Sequence, residues 1–554
     1  MMQTIIPQTM QAGLSARKSQ LIKNYEFQLI AILASLISSY IALSYHQPFN
    51  VDGIIYLNAA TAFLQGGLHQ AFSVYHWPFY PIVIALVSKI THLHTESAAF
   101  LLNCALNTLT FVTFITLIKE FGGSRRVQFF GLLIILIYPY LNHDRDNILR
   151  DFGYYAFALL SLLYFIRYLR FRNWHYALLW SSSIFVAALF RVEGFVILAC
   201  APFAVLLQRY PTFKAKILSF LQINCLSFVG ITLAITYLLL FHRHDPALAQ
   251  QISNFTYYFQ QYTPSLLLTS LNDKVTVLQQ GLFSDNDFVS IPIFLLTGAI
   301  GIFLDSFINA IGLLYLGLSY YALRYHLVPA DRAAALAWLT YVLLNLLIVI
   351  SFLISAFFLA TRYVALLSLL LILATPFSLV AIYENWRQQK PCFTGKKWVF
   401  PLICVFLGAL AIDSIGHFGP SKAYITSAGS WIDNHTASSA RLFSNDAQLI
   451  YYSHRTSTEE LLPILSNKDP LFILQNNDLK NYNYLALLLR HDELIELPKI
   501  IAFLQSHPIQ TFQNQRGDTV LIFELNKQAS TPLPEINPPL PPKSAINLIP
   551  PGIV

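Results

Sequence analysis

Charged residues are scarce in this chain. Only 11% of the 554 residues are Asp, Glu, Lys or Arg, and 55% are hydrophobic, whereas a soluble domain carries roughly 25% charged residues. This composition excludes an ordinary soluble protein and predicts that most of the chain lies in lipid. The formal net charge of +7 is spread through short loops. That distribution indicates membrane topology, and we expect no nucleic-acid partner.

Several motifs are also missing. Neither a Walker-type glycine loop nor a dinucleotide fingerprint occurs, which argues against an ATP-driven pump. The first apolar run has no small-residue cleavage site, so we expect it to remain as an uncleaved span. Cysteines are few, and all five lie outside the segments assigned below to the outer face, which excludes a disulfide-built ectodomain. They are Cys104, Cys200, Cys225, Cys392 and Cys404.

Long apolar runs are abundant. Eleven of them reach spanning length or nearly so, at residues 27–44, 98–118, 127–141, 152–166, 174–190, 194–207, 217–241, 291–323, 333–352, 364–383 and 398–412. The sequence therefore predicts a mainly α, polytopic membrane protein with about eleven transmembrane helices and additional juxtamembrane helices.

The short apolar stretch over residues 79–90 decides the topology, because it is too short to cross a bilayer easily. If it does not cross and the N-terminus is cytoplasmic, five basic loops all face the cytoplasm, as the positive-inside rule requires. We therefore predict a juxtamembrane or re-entrant helix here and an integral protein of the bacterial inner membrane with a periplasmic C-terminus. The loops contain Lys119/Arg125/Arg126, Arg167/Arg170/Arg172, Arg209/Lys214/Lys216, Arg324/Arg332 and Arg387/Lys390/Lys396/Lys397.

The remaining segments complete the predicted domain plan. A cytoplasmic segment covers residues 1–24, and the membrane domain covers 25–415, with outer loops at 46–97 and 242–290. The second loop is expected to carry short surface helices that could act as a lid. A small α/β domain covers 416–530, with helices at 424–435 and 497–505 and strands at 441–444, 482–489, 509–513 and 518–524. The proline-rich tail over 531–554 is expected to be disordered.

Two acidic places on the predicted outer face could carry chemistry. Asp52 follows the first span, and residues 143–151 hold six ionisable side chains, among them Asp146, Asp151, Arg145 and Arg150. Such charges at membrane level require water or partners. The functional interpretation is a polar cavity floor whose carboxylates act as base or metal ligand and whose arginines hold a phosphate. The alternative is a solvated turn.

Three further places contain candidate substrate-binding residues. Arg191 and Glu193 are two residues apart and could simply pair across the ends of two spans, which is the role we favour slightly. Arg362 and Tyr363 begin a late span, where the arginine could reach lipid headgroups or bind the phosphate of a lipid-linked substrate. His76 begins the aromatic–proline cluster His76-Trp77-Pro78-Phe79-Tyr80-Pro81.

These motifs, in this order, resemble those of the C-type (GT-C) integral-membrane glycosyltransferases. That superfamily includes the protein O-mannosyltransferases of glycosyltransferase family 39 and the aminoarabinose transferases that modify lipid A. The resemblance covers nearly the whole chain, with the motifs in the same order. One departure matters: the mannosyltransferases have an Asp-Glu pair in the first loop, whereas here Asp52 is followed by Gly53. Their substrate therefore cannot be transferred to this chain. The matching residues are Asp52, the 77–81 cluster, 145–155, Arg191-Val192-Glu193-Gly194, Arg362-Tyr363, and 430–452 with Trp431 and Asp446.

The resemblance implies transfer of a sugar from a polyprenyl-phosphate donor to a lipid, polysaccharide or protein acceptor on the outer face. It implies Asp52 as the base, sharing the site with Asp151 or Asp146, and Arg145, Arg150 and Arg362 as stabilisers of the departing phosphate. Some relatives use a divalent cation, and an acid-rich site would allow one here. The alternatives are a transporter or flippase of lipid-linked sugars, whose usual internal repeats are not evident here, and a non-catalytic membrane anchor.

Overall fold

The computed structural model describes residues 8–45, 47–241, 263–281, 290–388, 397–416, 419–455, 470–471, 474 and 479–525. Two compact units divide the chain: residues 1–42, 100–145 and 150–416 form the first, and residues 43–99, 146–149 and 417–554 form the second. The helices are α1 (Gln8–Ser44), α2 (Val51–Val74), α3 (Phe79–Thr91), α4 (Thr95–Glu120), α5 (Arg125–Leu136), α6 (Pro139–His143), α7 (Asp151–Phe171), α8 (Trp174–Phe190), α9 (Gly194–Cys200), α10 (Phe213–Phe241), α11 (Pro264–Gly281), α12 (Ser290–Ile311), α13 (Leu313–Arg324), α14 (Arg332–Ala356), α15 (Thr361–Ile372), α16 (Thr375–Arg387), α17 (Val399–Ile415), α18 (Ala423–His435), α19 (Ala447–Tyr452) and α20 (Leu497–Leu504).

The first unit is a bundle of apolar helices. Five helices in the described residues are long and apolar enough to cross a membrane: Tyr25–Ser44 of α1, and α4, α7, α12 and α14. The pair α15 and α16, bent by 42°, would form a sixth span. The predicted polytopic helical membrane protein is confirmed. All eleven predicted apolar runs lie in helices, but turns and a 3-10 segment at Ala201–Leu207 break several of them into pieces shorter than a full span.

Helix α7 lies at the centre of this bundle, and 15 of its 21 residues are buried. A helix that is apolar on all sides belongs in a core. Buried hydroxyls fix its neighbours: Tyr341 of α14 shares a hydrogen bond of 2.8 Å with Ser161 of α7 and accepts one of 3.0 Å from the Trp180 indole of α8. This packing holds the N-terminal end of α7, where Asp151 lies, in a fixed place.

Glycines allow α7 and α8 to approach closely near Asp151. A Cβ atom on Gly153 would lie 2.4 Å from the ring of Phe190, at the end of α8, and one on Gly194 would lie 2.6 Å from the backbone of Ala188. Neither position has room for a methyl group without a shift of its neighbours. The corner between α8 and α9 is therefore packed directly on the start of α7.

The second unit contains the sheet, with strands β1 (Leu442–Ser444), β2 (Tyr484–Leu489), β3 (Gln510–Gln513) and β4 (Thr519–Glu524). Their order is β1-β2-β4-β3, and only the β1–β2 pair is parallel. Alternate residues of β2 face opposite sides: Leu485 and Leu487 pack with Ile500 of α20, whereas Ala486 packs with Ile432 of α18. The predicted α/β domain is confirmed, and the six elements predicted for it agree with the structure to within two residues, whereas helix α19 was not predicted.

The first outer loop also belongs to the second unit. The predicted short helix over residues 79–90 forms as α3, 13 residues long, and α2 packs on it through Tyr56 and Tyr80, whose ring centroids are 5.3 Å apart. The loop 242–290 was predicted to carry short helices, and α11 is one. Residues 242–262 and 282–289 lie outside the described residues, as does the predicted disordered tail.

Candidate functional site

A buried ionic cluster lies where α7 begins and α8 ends. Arg191 follows α8, and its guanidinium donates hydrogen bonds to Asp151 Oδ1 through Nη1 and to Glu193 Oε1 through Nη2 and, at 3.2 Å, through Nε. Only 5% of the Arg191 side chain and 3% of the Asp151 side chain are exposed. The predicted Arg191–Glu193 pair therefore forms, but the arginine also binds a second carboxylate that comes from α7.

The charges in this cluster are mutually dependent. Burial by itself would lower the pKa of Arg191, but Glu193 and Asp151 keep it well above its usual value. Burial would raise the pKa of Glu193, and the charge of Arg191 more than offsets this, so the pKa lies below its usual value. Arg150 and Arg362 also act electrostatically on Asp151. Glu193 is thus held ionised beside an arginine. Burying such ionic groups costs desolvation energy, so the cluster is a poor route to stability alone.

Arg362 and Tyr363, in the first turn of α15, join this cluster. The Tyr363 ring stacks on Phe352 of α14 with centroids 4.2 Å apart. The guanidinium of Arg191 lies 4.6 Å from the centroid of that ring, and the guanidinium of Arg362 lies 5.5 Å from it. A second anchor comes from α7, where the Tyr155 hydroxyl donates to the carbonyl of Arg362 at 2.8 Å. The Tyr363 ring thus contacts both cationic groups.

These side chains line a small cleft of about 10 Å³, with an apolar wall formed by residues of α14. The polar residues are Tyr154, Arg191, Glu193, Asn345, Arg362 and Tyr363, and the apolar residues are Ile348, Val349 and Phe352. The hydroxyl of Tyr154 is buried and has no hydrogen-bond partner in the described structure. It is therefore an available donor or acceptor at the cleft wall. Cationic and apolar side chains therefore lie together at this cleft.

Two polar residues of the cleft were missed from the sequence, as were the three apolar residues of its wall. Tyr154 is three residues after Asp151 and so shares its helix face, and this spacing could have identified it. Asn345 is a buried amide within the apolar helix α14, where it donates to the carbonyl of Tyr341 at 2.8 Å. A lone polar residue in an apolar span is a known signal of function.

The other predicted acids lie in the second unit. Asp52 is partly buried in the first turn of α2. Asn50, which precedes this helix, accepts a hydrogen bond of 3.0 Å from the backbone N–H of Ile148, and a Cβ on Gly53 would lie 3.0 Å from Ile148 Cβ. The segment containing Asp146 therefore packs on the start of the helix that contains Asp52. His76 is exposed on the bend between α2 and α3.

Arg145 occupies a separate buried place and does not line the cleft. Its guanidinium donates to Asn142 Oδ1 at 2.7 Å and to Ser39 Oγ at 2.8 Å, and lies 4.8 Å from the centroid of the Phe111 ring. Burial lowers the pKa of Arg145 to about 10. These contacts tie α1 and α4 to the segment before α7, which is a structural role consistent with the observed geometry.

The described residues contain no group of three or more His, Cys, Asp or Glu side chains placed to hold a metal ion. Beside the cleft, Asp151 Oδ1 and Glu193 Oε1 already accept hydrogen bonds from the guanidinium of Arg191. A divalent cation would have to compete with this arginine.

No protein-family model matches the chain, and no curated protein matches it by sequence. Solved structures are similar to it over much of its length. The crystal structure of ArnT from Cupriavidus metallidurans bound to undecaprenyl phosphate shares 13% identity over 92% of this chain and 100% of its own, with a TM-score of 0.45. The archaeal oligosaccharyltransferase AglB from Archaeoglobus fulgidus, in complex with an inhibitory peptide and a dolichol-phosphate, shares 13% identity over 87% of this chain and 71% of its own, also with a TM-score of 0.45.

A third structure is the Archaeoglobus fulgidus oligosaccharyltransferase tethered to an acceptor peptide, with 12% identity over 75% of this chain and a TM-score of 0.43. This chain spans 58% of its length. A further structure of the oligosaccharyltransferase is a complex with Zn and sulfate. ArnT and AglB are GT-C proteins, the superfamily that the sequence motifs resemble. Because every TM-score is below 0.5, we base the functional proposal on the residues of this chain.

Proposed function

We propose that this chain is a membrane glycosyltransferase that moves a sugar from a polyprenyl-phosphate donor to a lipid, polysaccharide or protein acceptor on the outer, periplasmic face of a bacterial inner membrane. The observation that carries the proposal is the cleft of the first unit. It combines the buried Arg191–Asp151–Glu193 cluster and Arg362 with an apolar wall from α14. A donor of this class has the same two parts, a phosphate and an isoprenoid chain.

In the proposed reaction, the oxygen of an acceptor hydroxyl attacks the anomeric carbon of the sugar. A base takes the hydroxyl proton, the carbon–oxygen bond to the phosphate breaks, and its electron pair leaves with the phosphate oxygen. We assign the phosphate to Arg362 and Arg150, because guanidinium groups match phosphate geometry and stabilise the charge that develops there. Asp151 and Glu193 hold Arg191, which in turn orients Tyr363.

We assign the base to Asp52, with Asp146 as the neighbouring acid. Asp52 is partly exposed at a helix start, which is compatible with a carboxylate that must reach a proton. Asp151 suits this role less well, because its carboxylate is buried and bound to Arg191. The domain plan, with a cytoplasmic N-terminus and an outer α/β domain over residues 416–530, remains part of the proposal and places both sites on the outer side.

The test is transfer of sugar by the purified full chain in lipid vesicles, using a panel of labelled polyprenyl-phosphate sugars with lipid acceptors. Asp52→Asn is expected to lower transfer by at least about 100-fold, the usual contribution of general base catalysis, while expression and membrane insertion remain. The matched control is Asp305→Asn, an exposed acid of α12, which should not change transfer.

Two outcomes contradict parts of this proposal. Full activity of Asp52→Asn would remove the base assignment while leaving the enzyme. Movement of labelled lipid across the vesicle membrane, with no new glycosidic bond, would instead support a transporter or flippase.

A further inference from the structure

Helix α11 has a polar face that donates hydrogen bonds to the C-terminal end of α14. Ser270 and Lys274 are four residues apart and therefore lie on one face of α11. The Lys274 ammonium donates to the carbonyls of Ser355 at 2.9 Å and Ile354 at 3.3 Å, and to Ser270 Oγ at 2.5 Å. Ser270 Oγ donates to the same Ser355 carbonyl at 3.0 Å. Two side chains of α11 thus bind the last carbonyls of α14.

The end of α14 needs such partners. The last four carbonyls of an α-helix receive no hydrogen bond from a backbone N–H of the same helix. The last turn of α14 also contains no basic residue that could bind them. Phe357, the residue that follows the helix, has a left-handed φ of 50°. Glycine is the residue most often found in this conformation at the end of a helix. Lys274 supplies a positive charge to the negative end of the helix dipole from outside the helix.

The turn that follows α14 leads directly into the cleft. Residues 357–360 connect α14 to α15, whose first turn contains Arg362 and Tyr363. The turn is also fixed from α12, because Ser306 Oγ donates to the carbonyl of Leu359 at 2.6 Å. The position of Arg362 thus depends on the conformation of the 357–360 turn. Helix α11 constrains the start of this turn, because it binds the carbonyls of the residues just before it.

We infer that Lys274 and Ser270 are positioning residues for Arg362 and Tyr363, so that α11 is a working part of the donor-phosphate site. The inference rests on the proposed function only for the identity of the ligand. The competing interpretation is that Lys274 merely attaches α11 to the bundle, in which case removing its charge would loosen α11 and leave the 357–360 turn unchanged.

The experiment compares Lys274→Met, which keeps the apolar stem, with the wild-type full chain. Hydrogen–deuterium exchange reports the turn directly, because the Phe357 amide donates to Leu353 and the Tyr363 amide donates to Ala360. We expect exchange at residues 357–363 to be about tenfold faster, and binding of undecaprenyl phosphate to vesicle-embedded protein to be about tenfold weaker, as for loss of a charged hydrogen bond. Lys274→Arg should restore both.

Ser270→Ala is a second variant in case Lys274→Met does not fold, and it should change both measurements in the same direction by a smaller factor. The control is Thr276→Ala, which removes a hydroxyl of α11 that donates to the Asn272 carbonyl of its own helix and contacts no other polar group in the part of the chain that the structure describes. Unchanged exchange at 357–363, or faster exchange confined to α11, would overturn the inference. Faster exchange with unchanged lipid binding would remove the link to the donor. If the wild-type protein does not bind undecaprenyl phosphate, the proposed function fails, while the exchange measurement still decides the role of Lys274.

Discussion

Arg191 is the residue on which the cleft depends most. It is buried, contacts Asp151 and Glu193, and lies against the Tyr363 ring. Removing one partner from a buried ionic group leaves uncompensated charge, and this usually costs more than the intact group contributes. Arg191 is therefore needed both for the shape of the cleft and for the ionisation of its acids.

We expect Arg191→Met to destabilise the folded protein by about 3–5 kcal/mol, because two carboxylates would remain buried without a counter-ion. Thermal unfolding of the purified protein in detergent measures the effect. Neutralising the acids as well, by Asp151→Asn and Glu193→Gln, should recover a large part of the loss. Arg324→Met, at an exposed arginine, is the control, and a loss of similar size there would contradict the assignment.

Glu193 gives the stability a defined pH dependence. Burial would raise the pKa of this carboxyl, but Arg191 lowers it more, so the folded-state pKa lies below the unfolded value of about 4.3. The stabilisation is therefore complete above that unfolded value and is lost as the pH falls through the folded pKa. The thermal midpoint of Glu193→Gln should lie furthest below that of the wild type at pH 7, and the difference should shrink below about pH 4. A difference that grows on acidification would show the opposite pKa shift.

Residue spacing predicted part of this site. The Arg191–Glu193 pair could be predicted because the two residues are neighbours in sequence. The bond from Arg191 to Asp151 could not, because the residues are 40 apart and meet only through the packing of α7 on α8. Arg145 could not be placed either, since its partner Ser39 lies 106 residues away on α1.

At the scale of elements, the contact between α7 and α8 depends on a glycine. Gly153→Ala should destabilise the protein by about 1–3 kcal/mol, because the added methyl group would overlap the Phe190 ring. The matched control is Gly301→Ala in α12, where nothing lies within 4 Å of the added carbon. That variant should be neutral or slightly more stable, since alanine favours helix. Denaturation of both variants in the same detergent tests this, and equal effects would contradict the close approach.

Most elements could be predicted from the sequence because their patterns are strong. Alternation identified β4, a buried apolar run identified β2, and the short apolar run before His92 identified α3. The breaks within the apolar runs were harder to predict. The division of residues 364–383 into α15 and α16 lies beside Pro376, in the first turn of α16. Proline lacks a backbone N–H and clashes with the preceding turn, so this break had a local signal in the sequence that was missed.

At the scale of the whole molecule, the second unit joins distant parts of the chain. Phe49, just before α2, is buried; its carbonyl accepts a hydrogen bond from Gln448 Nε2 at 2.7 Å, and its amide donates to the Tyr452 hydroxyl at 3.4 Å. The Phe49 ring packs on Tyr451 and Tyr452 with centroids 5.3 and 5.5 Å away. The C-terminal domain is thus part of the structure that holds the Asp52 helix.

This contact has a consequence for biosynthesis. Phe49 and Tyr452 are 403 residues apart, and a ribosome adds about 5–20 residues per second. At this rate, roughly 20–80 s pass between the synthesis of the loop that contains Asp52 and the synthesis of the segment that packs on it. During this interval the aromatic ring of Phe49 lacks its final partners, so the outer loop can be completed only after Tyr452 has been synthesised.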